Sequence, residues 1–192
     1  WMHNGFVNID NVKMSKSLGN FITVHDALKT LDGQVLRFFF ATQHYRKPIN
    51  FTEKAVRDAE TNLKYLKNTY EQPFSGIVDA QELQAFKDKF IAAMDEDFNS
   101  AIGITVVFEM AKWINSGNYD VAVKETLATM LEVFGIVFVE EVLDEEIEAL
   151  IQKRQEARAN KDFATADQIR DQLAAQGIKL LDTKDGVRWT RD

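Results

Sequence analysis

The sequence predicts a mainly α-helical protein that ends in a small α+β unit. Apolar side chains recur at helical spacing through the middle of the chain and again near its end, with polar turn clusters between them. Residues 178–181 and 187–190 have the composition of two strands. We therefore divide the 192 residues into an irregular lysine-bearing segment (residues 1–50), an antiparallel helical bundle (residues 51–143) and a unit of two helices and a two-stranded hairpin (residues 144–192).

The charges are distributed unevenly along the chain, whose formal net charge is −7. Lysine and arginine outnumber aspartate and glutamate by six to three in residues 1–50 and by nine to seven in residues 153–192. Residues 51–152 hold 20 acidic and eight basic side chains. A polyanionic partner is therefore expected to approach the two ends of the chain and to avoid the middle. The acidic middle is also compatible with an ordinary solvated bundle surface.

Composition excludes several classes of site and partner. The chain contains no cysteine, so it has neither disulfides nor cysteine metal sites. No apolar run is long enough to span a membrane, and no secretory leader is recognisable. We therefore expect no membrane partner.

The first segment carries the most unusual stretch, residues 13–17, which read KMSKS. A short strand is predicted before it, at residues 6–9. Lys13 and Lys16 suit a polyphosphate, because ammonium groups on long stems can meet the negative charge that develops on a leaving pyrophosphate. Two serines add hydroxyl donors, and Gly19 lets the loop bend. A solvated basic loop is the alternative for a bare pair of lysines at this spacing.

Two helices are predicted after the lysine loop. Thr23 is the expected N-cap of the first helix, with Asp26 in its first turn, and Asp32 and Gly33 break the chain before the second. Arg37 lies within the apolar run of the second helix, where we favour a structural role over an RNA contact. Val24, Leu28 and Leu31 fall on one side of the first helix. Most of the apolar run in the second helix is expected to be buried, namely most of Leu36, Phe38, Phe39 and Phe40.

The bundle is predicted to contain four helices. The first is capped by Thr52, the second spans residues 79–94, the third spans residues 101–115, and the fourth spans residues 120–134 and ends at Gly135. The side chains expected inside the first three are Val56, Leu63, Leu66, Tyr70, Leu83, Phe86, Phe90, Ile91, Ile104, Val107, Phe108 and Ala111.

An acidic run joins the second and third helices of the bundle. Asp95, Glu96 and Asp97 lack the spaced oxygen ligands and the glycine of a calcium loop. We therefore favour a helix junction over a metal site, with Asn99 or Ser100 as the N-cap of the third helix.

The last segment begins after residues 136–143, which are expected to dock on the bundle. A helix from Asp144 and a second from Asp162, ended by Gly177, should pack together. The two strands are expected to be joined through residues 183–186, which contain an Asp-Gly turn. The predicted core positions are Ile147, Leu150, Ile151, Ala166, Ile169 and Leu173.

These motifs together resemble one enzyme family. The KMSKS stretch is identical to a motif of class I aminoacyl-tRNA synthetases, and residues 1–7 are similar to the strand that precedes it. Over essentially its whole length the chain is similar to the bacterial cysteinyl-tRNA synthetases. Further matching stretches are residues 19–23, 35–39, 44–51 and 156–163.

The resemblance implies a two-step reaction in which cysteine is activated by ATP and then transferred to tRNA-Cys. Lys13 and Lys16 would stabilise the departing pyrophosphate, with Lys16 in direct contact with phosphate. The family's second motif, H-x-G-H, is absent, so we expect a C-terminal part of a longer enzyme that is inactive alone. Residues 1–50 would combine the KMSKS loop with a stem-contact segment. The ATP-binding set would be Gly5, Met14, Ser15, Lys16 and Ser17.

The resemblance also implies an anticodon-reading unit in residues 144–192. Arg158, Asp167 and Asp182 match positions that hydrogen-bond anticodon bases, and Phe163 offers a stacking face. Unpaired bases can be stacked on an aromatic ring and read along their edges. The alternative is that Arg158 and Asp162 form an ordinary ion pair on a helix surface.

The remaining expectations concern cofactors, partners and alternatives. The family uses ATP with magnesium, and zinc in the parent enzyme, but we expect no zinc here because His3, His25 and His44 form no ligand-spaced cluster. The role of His3 is open, since Asn4 stands where relatives carry histidine. A monomeric, cytoplasmic enzyme is implied. Two alternatives remain: an ATP-dependent ligase joining cysteine to an amino sugar, and a non-catalytic RNA-binding or scaffold module.

Overall fold

A computed structural model describes residues 1–139, 145–183 and 186–191. Its contacts divide the chain into two compact units, residues 1–139 and residues 140–192. The predicted boundary between residues 143 and 144 lies outside the described residues, and the three-part division remains a prediction. Within the described residues, no helix is both long enough and apolar enough to cross a membrane.

The first unit begins with a small three-stranded sheet. Strand β1 (Val7–Ile9) pairs antiparallel with β2 (Val12–Lys13) and parallel with β3 (Ile49–Phe51). Asp10 and Asn11, both at positive φ, form the two-residue turn between β1 and β2. The sequence predicted β1 only. Since β2 ends at Lys13, that lysine is both the last residue of a strand and the first residue of the loop.

Two helices follow the lysine loop. Helix α1 (Val24–Ala27) is capped by Thr23, whose hydroxyl accepts from the Asp26 N–H as predicted. The helix is one turn long, so Val24 and Leu28 remain exposed instead of lining a buried face. Helix α2 (Gly33–Ala41) starts from the Asp32 cap.

The aromatic run of α2 is buried as predicted, with one exception. Leu36, Phe38 and Phe39 lie in the core, whereas Phe40 is 37% exposed. A helix buries only one side, and Phe40 lies at the edge of that side.

The bundle consists of α3 (Glu53–Tyr70), α4 (Ala80–Asp95), α5 (Ser100–Asn115) and α6 (Val121–Val133). A side-chain oxygen caps each helix by accepting a backbone N–H, which satisfies an otherwise orphaned donor. The caps are Thr52, Asp79, Asn99 and Asp120.

Helix α5 lies at the centre of the bundle. Its Val107, Met110, Ala111 and Ile114 are fully buried, and α5 packs against α2, α3, α4 and α6. One predicted core residue of the bundle is wrong: Ile91 is 54% exposed, because the buried face of α4 is formed by residues on its other side. The fully or largely buried positions of α4 are Leu83, Phe90 and Ala93.

The chain after α6 packs back on the helices of the first unit, as predicted, over its described residues 135–139. Gly135 adopts positive φ after the helix. Ile136 is buried, the Val137 N–H donates to the Gln34 side chain, and the Phe138 ring lies against Tyr70. Residues 140–143 of this segment lie outside the described residues.

The second unit contains α7 (Glu145–Ala159), α8 (Phe163–Ala175), β4 (Ile178–Thr183) and β5 (Gly186–Arg191). The strands form an antiparallel hairpin in which Leu180 pairs with Trp189. The predicted Asp-Gly turn falls on residues 185–186. Gly186 is the first residue of β5 and pairs with Thr183, whereas residues 184–185 lie outside the described residues. The core of this unit consists of Ile147, Ile169, Leu173 and Ile178, with Leu150, Ile151, Leu180 and Trp189 packed against it.

Candidate functional site

The lysine loop, residues 13–20, extends directly from the sheet. Lys13 pairs with Asn8 in the β1–β2 ladder, and the Met14 N–H donates to the Val7 carbonyl at 2.9 Å. A short 3-10 turn, Lys16–Leu18, follows an extended Ser15. Gly19 then reverses the chain at φ 69°, a conformation that favours glycine. The two lysines are thus placed by a strand end and by a tight turn.

Both ammonium groups lie beside exposed aromatic rings. The Lys13 Nζ is 3.7 Å from the centroid of Phe6, and the Lys16 Nζ is 5.4 Å from that of Phe21. A cation over an aromatic face is attracted by the ring quadrupole. The Ser15 and Ser17 hydroxyls are 2.7 Å apart and share a hydrogen bond. This arrangement leaves the lysines on the surface, where an anion can reach them.

Asn20 braces the loop, and Gly5 connects the chain before β1 to the segment after α2. The side-chain amide of Asn20 accepts from the Ser15 N–H at 2.9 Å and donates to the Lys13 carbonyl at 3.3 Å. The Gly5 N–H donates to the Tyr45 carbonyl at 2.7 Å, and a β-carbon at position 5 would collide with the backbone of Lys47. Gly5 therefore permits a close approach of two chain segments, and the structure gives it a backbone role next to β1.

A charged link that the sequence did not reveal joins the segment after α2 to the bundle. Asp97 accepts from Arg46 Nε at 2.6 Å and Nη2 at 2.9 Å, and from the Tyr45 hydroxyl at 2.6 Å. The hydrogen bonds from Arg46 and Tyr45 lower the pKa of Asp97 to about 2, and the bond to Asp97 raises the pKa of Tyr45.

This link accounts for one residue of the acidic run. Asp97 and Phe98 both adopt positive φ at the junction of α4 and α5, which turns the Asp97 carboxylate toward Arg46. Among the described residues, no group of three or more histidine, aspartate or glutamate side chains is arranged to hold a metal ion.

A surface cavity of about 250 Å³ opens between the two helices of the second unit, and we call it the arginine pocket. It gathers three of the four predicted anticodon residues, Arg158, Phe163 and Asp167. The fourth, Asp182, lies in β4 opposite Val187, and its side chain is outside the described part. The lining residues are Arg154, Arg158, Phe163, Ala166, Asp167 and Arg170.

Helical spacing and a tight connection build the arginine pocket. Arg154 and Arg158 are one turn apart on α7, as are Phe163 and Asp167 on α8. Asp162 caps α8 by accepting from the Thr165 N–H, and the Thr165 hydrogen bonds lower the pKa of this carboxyl. The pocket residues therefore project from two helices that are fixed by one short turn.

The pocket is cationic, with an exposed aromatic wall. Phe163 is 62% exposed, whereas Arg154 is 6% exposed. Arg170 lies 3.1 Å from Asp167 and 3.3 Å from Asp171. Sequence reasoning missed Arg154 and Arg170, although the same i, i+4 and i, i+3 spacings that relate them to Arg158 and Asp167 could have found both.

Three family models match the chain. The model for the class I (C) tRNA synthetase catalytic domain matches residues 1–61, and the DALR domain model matches residues 89–140. The model for the cysteinyl-tRNA ligase anticodon-binding domain matches residues 140–189. The lysine loop and the arginine pocket therefore lie in segments similar to a catalytic and an anticodon-binding domain, respectively.

Similar proteins cover the whole chain. It is 91% identical to a cysteine–tRNA ligase of Streptococcus pneumoniae serotype 4, 77% identical to one of Streptococcus mutans, and 74% identical to one of Streptococcus thermophilus. Each comparison extends over 100% of this chain and 43% of the relative. The chain thus spans less than half the length of these relatives.

Proposed function

The chain belongs to the cysteine–tRNA ligase family, and we propose that the complete protein activates cysteine with ATP and transfers it to tRNA-Cys. This chain would supply the pyrophosphate-stabilising loop and the anticodon-binding surface. The observation that carries the proposal is the arginine pocket, because it gathers Arg158, Phe163 and Asp167 within the segment that matches an anticodon-binding domain.

The lysine loop would act on the departing pyrophosphate. Negative charge grows on the phosphate oxygens as the cysteine carboxylate attacks the α-phosphate, and positioned ammonium groups stabilise that charge most where water is excluded. Lys16 would contact phosphate directly and Lys13 would assist it. Met14 would pack near the adenine, with Gly5, Ser15 and Ser17 completing the ATP-binding set. Without the remainder of the ligase, we expect this chain to be inactive.

The arginine pocket would take unstacked anticodon bases. A base can stack on the exposed Phe163 ring, while Arg158 donates to guanine acceptors and Asp167 accepts from amino groups. Asp182 would act in the same way as Asp167. Arg154 and Arg170 add positive charge beside these groups, which favours the phosphates that flank each base.

The remaining assignments concern metal ions, assembly and location. Magnesium would accompany the ATP phosphates, and zinc would be bound by other parts of the ligase, where it would select the cysteine thiolate. We propose a monomeric enzyme that works in the cytoplasm. The cysteine–amino sugar alternative is less well supported, because such a ligase has no use for residues that match an anticodon-binding domain.

The direct test is aminoacylation by the complete ligase and by a variant that lacks residues 144–192. Both are given tRNA-Cys and a tRNA-Cys with altered anticodon bases, and each amino acid is offered in turn. The complete ligase should charge only tRNA-Cys, only with cysteine. The shortened variant should retain cysteine-dependent pyrophosphate exchange but lose discrimination between the two tRNAs. Unchanged discrimination would refute the anticodon assignment. In a parallel reaction with an amino sugar in place of tRNA, ATP-dependent formation of a cysteinyl amino sugar would favour the alternative.

A further inference from the structure

We infer that Asn20 is a positioning residue for the lysine loop, and this inference rests on the proposed ATP-dependent function. The Asn20 carboxamide bonds back to the loop, at the Ser15 N–H and the Lys13 carbonyl. We call this pair of hydrogen bonds the amide clip. Its effect is to extend the order of the sheet from Lys13, which the β1–β2 ladder already holds, to the turn that carries Lys16.

The amide clip completes a continuous set of backbone bonds at the base of the loop. Lys13 is held in the β1–β2 ladder, and Met14 donates to Val7. Ser15 is the next residue, and its N–H is taken by the Asn20 carboxamide oxygen at 2.9 Å. Without Asn20, the hydrogen bonds of the sheet would hold the chain only as far as Met14. The turn that carries Lys16 begins two residues later.

Asparagine is chemically suited to this position. The clip requires one acceptor for Ser15 and one donor for Lys13, and a carboxamide provides both at the end of a short stem. Aspartate keeps the acceptor and loses the donor, while alanine loses both. Gly19 returns the chain at φ 69°, which brings Asn20 back beside the strand end.

Positioning of the loop matters because the charges must stand where the pyrophosphate forms. Charged groups that are already in position stabilise a transition state without having to move during the reaction. A small displacement of such a group therefore lowers the reaction rate. The Lys13 ammonium group contacts the Phe6 ring and the Lys16 ammonium group contacts the Phe21 ring. Neither ammonium group is bonded by the clip itself. The clip therefore sets the backbone from which both long side chains move to a phosphate.

The test compares Asn20→Ala and Asn20→Asp in the complete ligase by cysteine-dependent pyrophosphate exchange. We expect Asn20→Ala to lower kcat about tenfold, the scale of one to two lost hydrogen bonds, with the KM for cysteine unchanged. Asn20→Asp should fall between Asn20→Ala and the unmodified ligase. Trypsin should also cleave faster after Lys13 and Lys16 in Asn20→Ala, while cleavage at lysines of the bundle is unchanged.

A matched control is Asn118→Ala, because Asn118 makes a similar local bond to the Trp113 carbonyl at 2.9 Å in the bundle. It should leave both kcat and cleavage after Lys13 and Lys16 unaltered. If the Asn20 and Asn118 variants lose kcat equally, or if Asn20→Ala leaves kcat unaltered, the inference about Asn20 is wrong. The proposed function would still stand in that case, provided that the unmodified ligase catalyses the exchange. If the unmodified ligase shows no cysteine-dependent pyrophosphate exchange, both the proposed function and this inference are wrong. The rates of trypsin cleavage after Lys13 and Lys16 would still show whether the clip orders the loop.

Discussion

The lysine loop of the first unit and the arginine pocket of the second both place cations beside an exposed aromatic ring, but they hold those cations differently. Lys13 and Lys16 project from a strand end and a 3-10 turn. The arginines of the pocket project from α7 and α8, and Arg154 is almost fully buried. The loop depends on a few local bonds, whereas the pocket depends on the packing of two helices.

This difference matches the chemistry proposed for each place. Charge on a leaving pyrophosphate appears only during the reaction, and lysine meets it as a point charge on a flexible stem. Reading a base requires donors in a fixed fork next to a stacking face, which arginine on a rigid helix provides. Changes in the loop should therefore affect rate, and changes in the pocket should affect the choice of tRNA.

The largest expected effect is on the loop. Lys16→Ala in the complete ligase should lower the kcat of pyrophosphate exchange about a hundredfold to a thousandfold, as loss of one charge-stabilising donor commonly does. Cysteine binding should change little. Lys29→Ala is the control, since Lys29 is an exposed lysine paired with Asp26. Equal losses of kcat and of cysteine affinity would contradict a role restricted to the transition state.

A second change tests the packing on which the pocket depends. Leu173 on α8 is fully buried, so Leu173→Ala should lower the free energy of unfolding of the second unit by about 3 kcal/mol. Thermal or urea unfolding followed by Trp189 fluorescence would measure this in a background where Trp1 and Trp113, the other tryptophans of this chain, are replaced by phenylalanine. The matched change Phe163→Ala, at the exposed end of the same helix, should leave that free energy nearly unaltered. Similar destabilisation by both changes would show that Phe163 is a packing residue.

A third change separates binding from rate. Phe163→Ala should reduce kcat/KM for tRNA-Cys about tenfold, because a base stacked on an aromatic ring contributes about 1–3 kcal/mol. Phe163→Trp should raise kcat/KM a few-fold by enlarging the stacking face. Pyrophosphate exchange should be unchanged in both. Phe98→Ala, at another exposed phenylalanine, serves as the control, and an equal loss there would argue against a specific contact.

The smallest expected effect concerns the stability that the Arg46–Asp97 link adds, and it is seen in the pH dependence of unfolding. An aspartate whose pKa is lowered in the folded protein adds stability that is fully present above the unfolded pKa of about 4 and is lost as pH falls toward about 2. Asp97→Asn should therefore remove part of the stability difference between about pH 5 and pH 2. Unfolding free energies measured across this range would show it. An identical pH dependence in both proteins would mean that the link does not contribute.

The sequence predicted the local features of the fold well. Thr23 and Thr52 are helix caps as predicted, because a capping oxygen bonds only to the next two or three residues. The sequence did not predict that Ile91 and Val24 are exposed. The spacing of apolar residues identifies the apolar face of a helix, but it does not tell which other elements will cover that face. Strand β3 was missed because its partner β1 lies about 40 residues earlier.

The candidate sites show the same division. The lysine loop is contiguous, so its residues were singled out from the sequence as candidate phosphate ligands, which remains a prediction. The amide clip of Asn20 instead requires the return of the chain at Gly19. Three members of the arginine pocket were predicted from family resemblance. Arg154 and Arg170 were missed although each lies one helical turn from a predicted member, and the packing of α7 on α8 places both in the pocket.

The sequence by itself determined the helices, their caps, the uneven charge and the motif that identifies the family, because each of these depends on residues close together in the chain. Tertiary structure alone decided that Lys13 ends a strand, that Asp97 anchors Arg46 across an interval of 51 residues, and that arginines of two helices line one pocket with Phe163. These features require contacts between distant segments, and such contacts form only when apolar faces pack together.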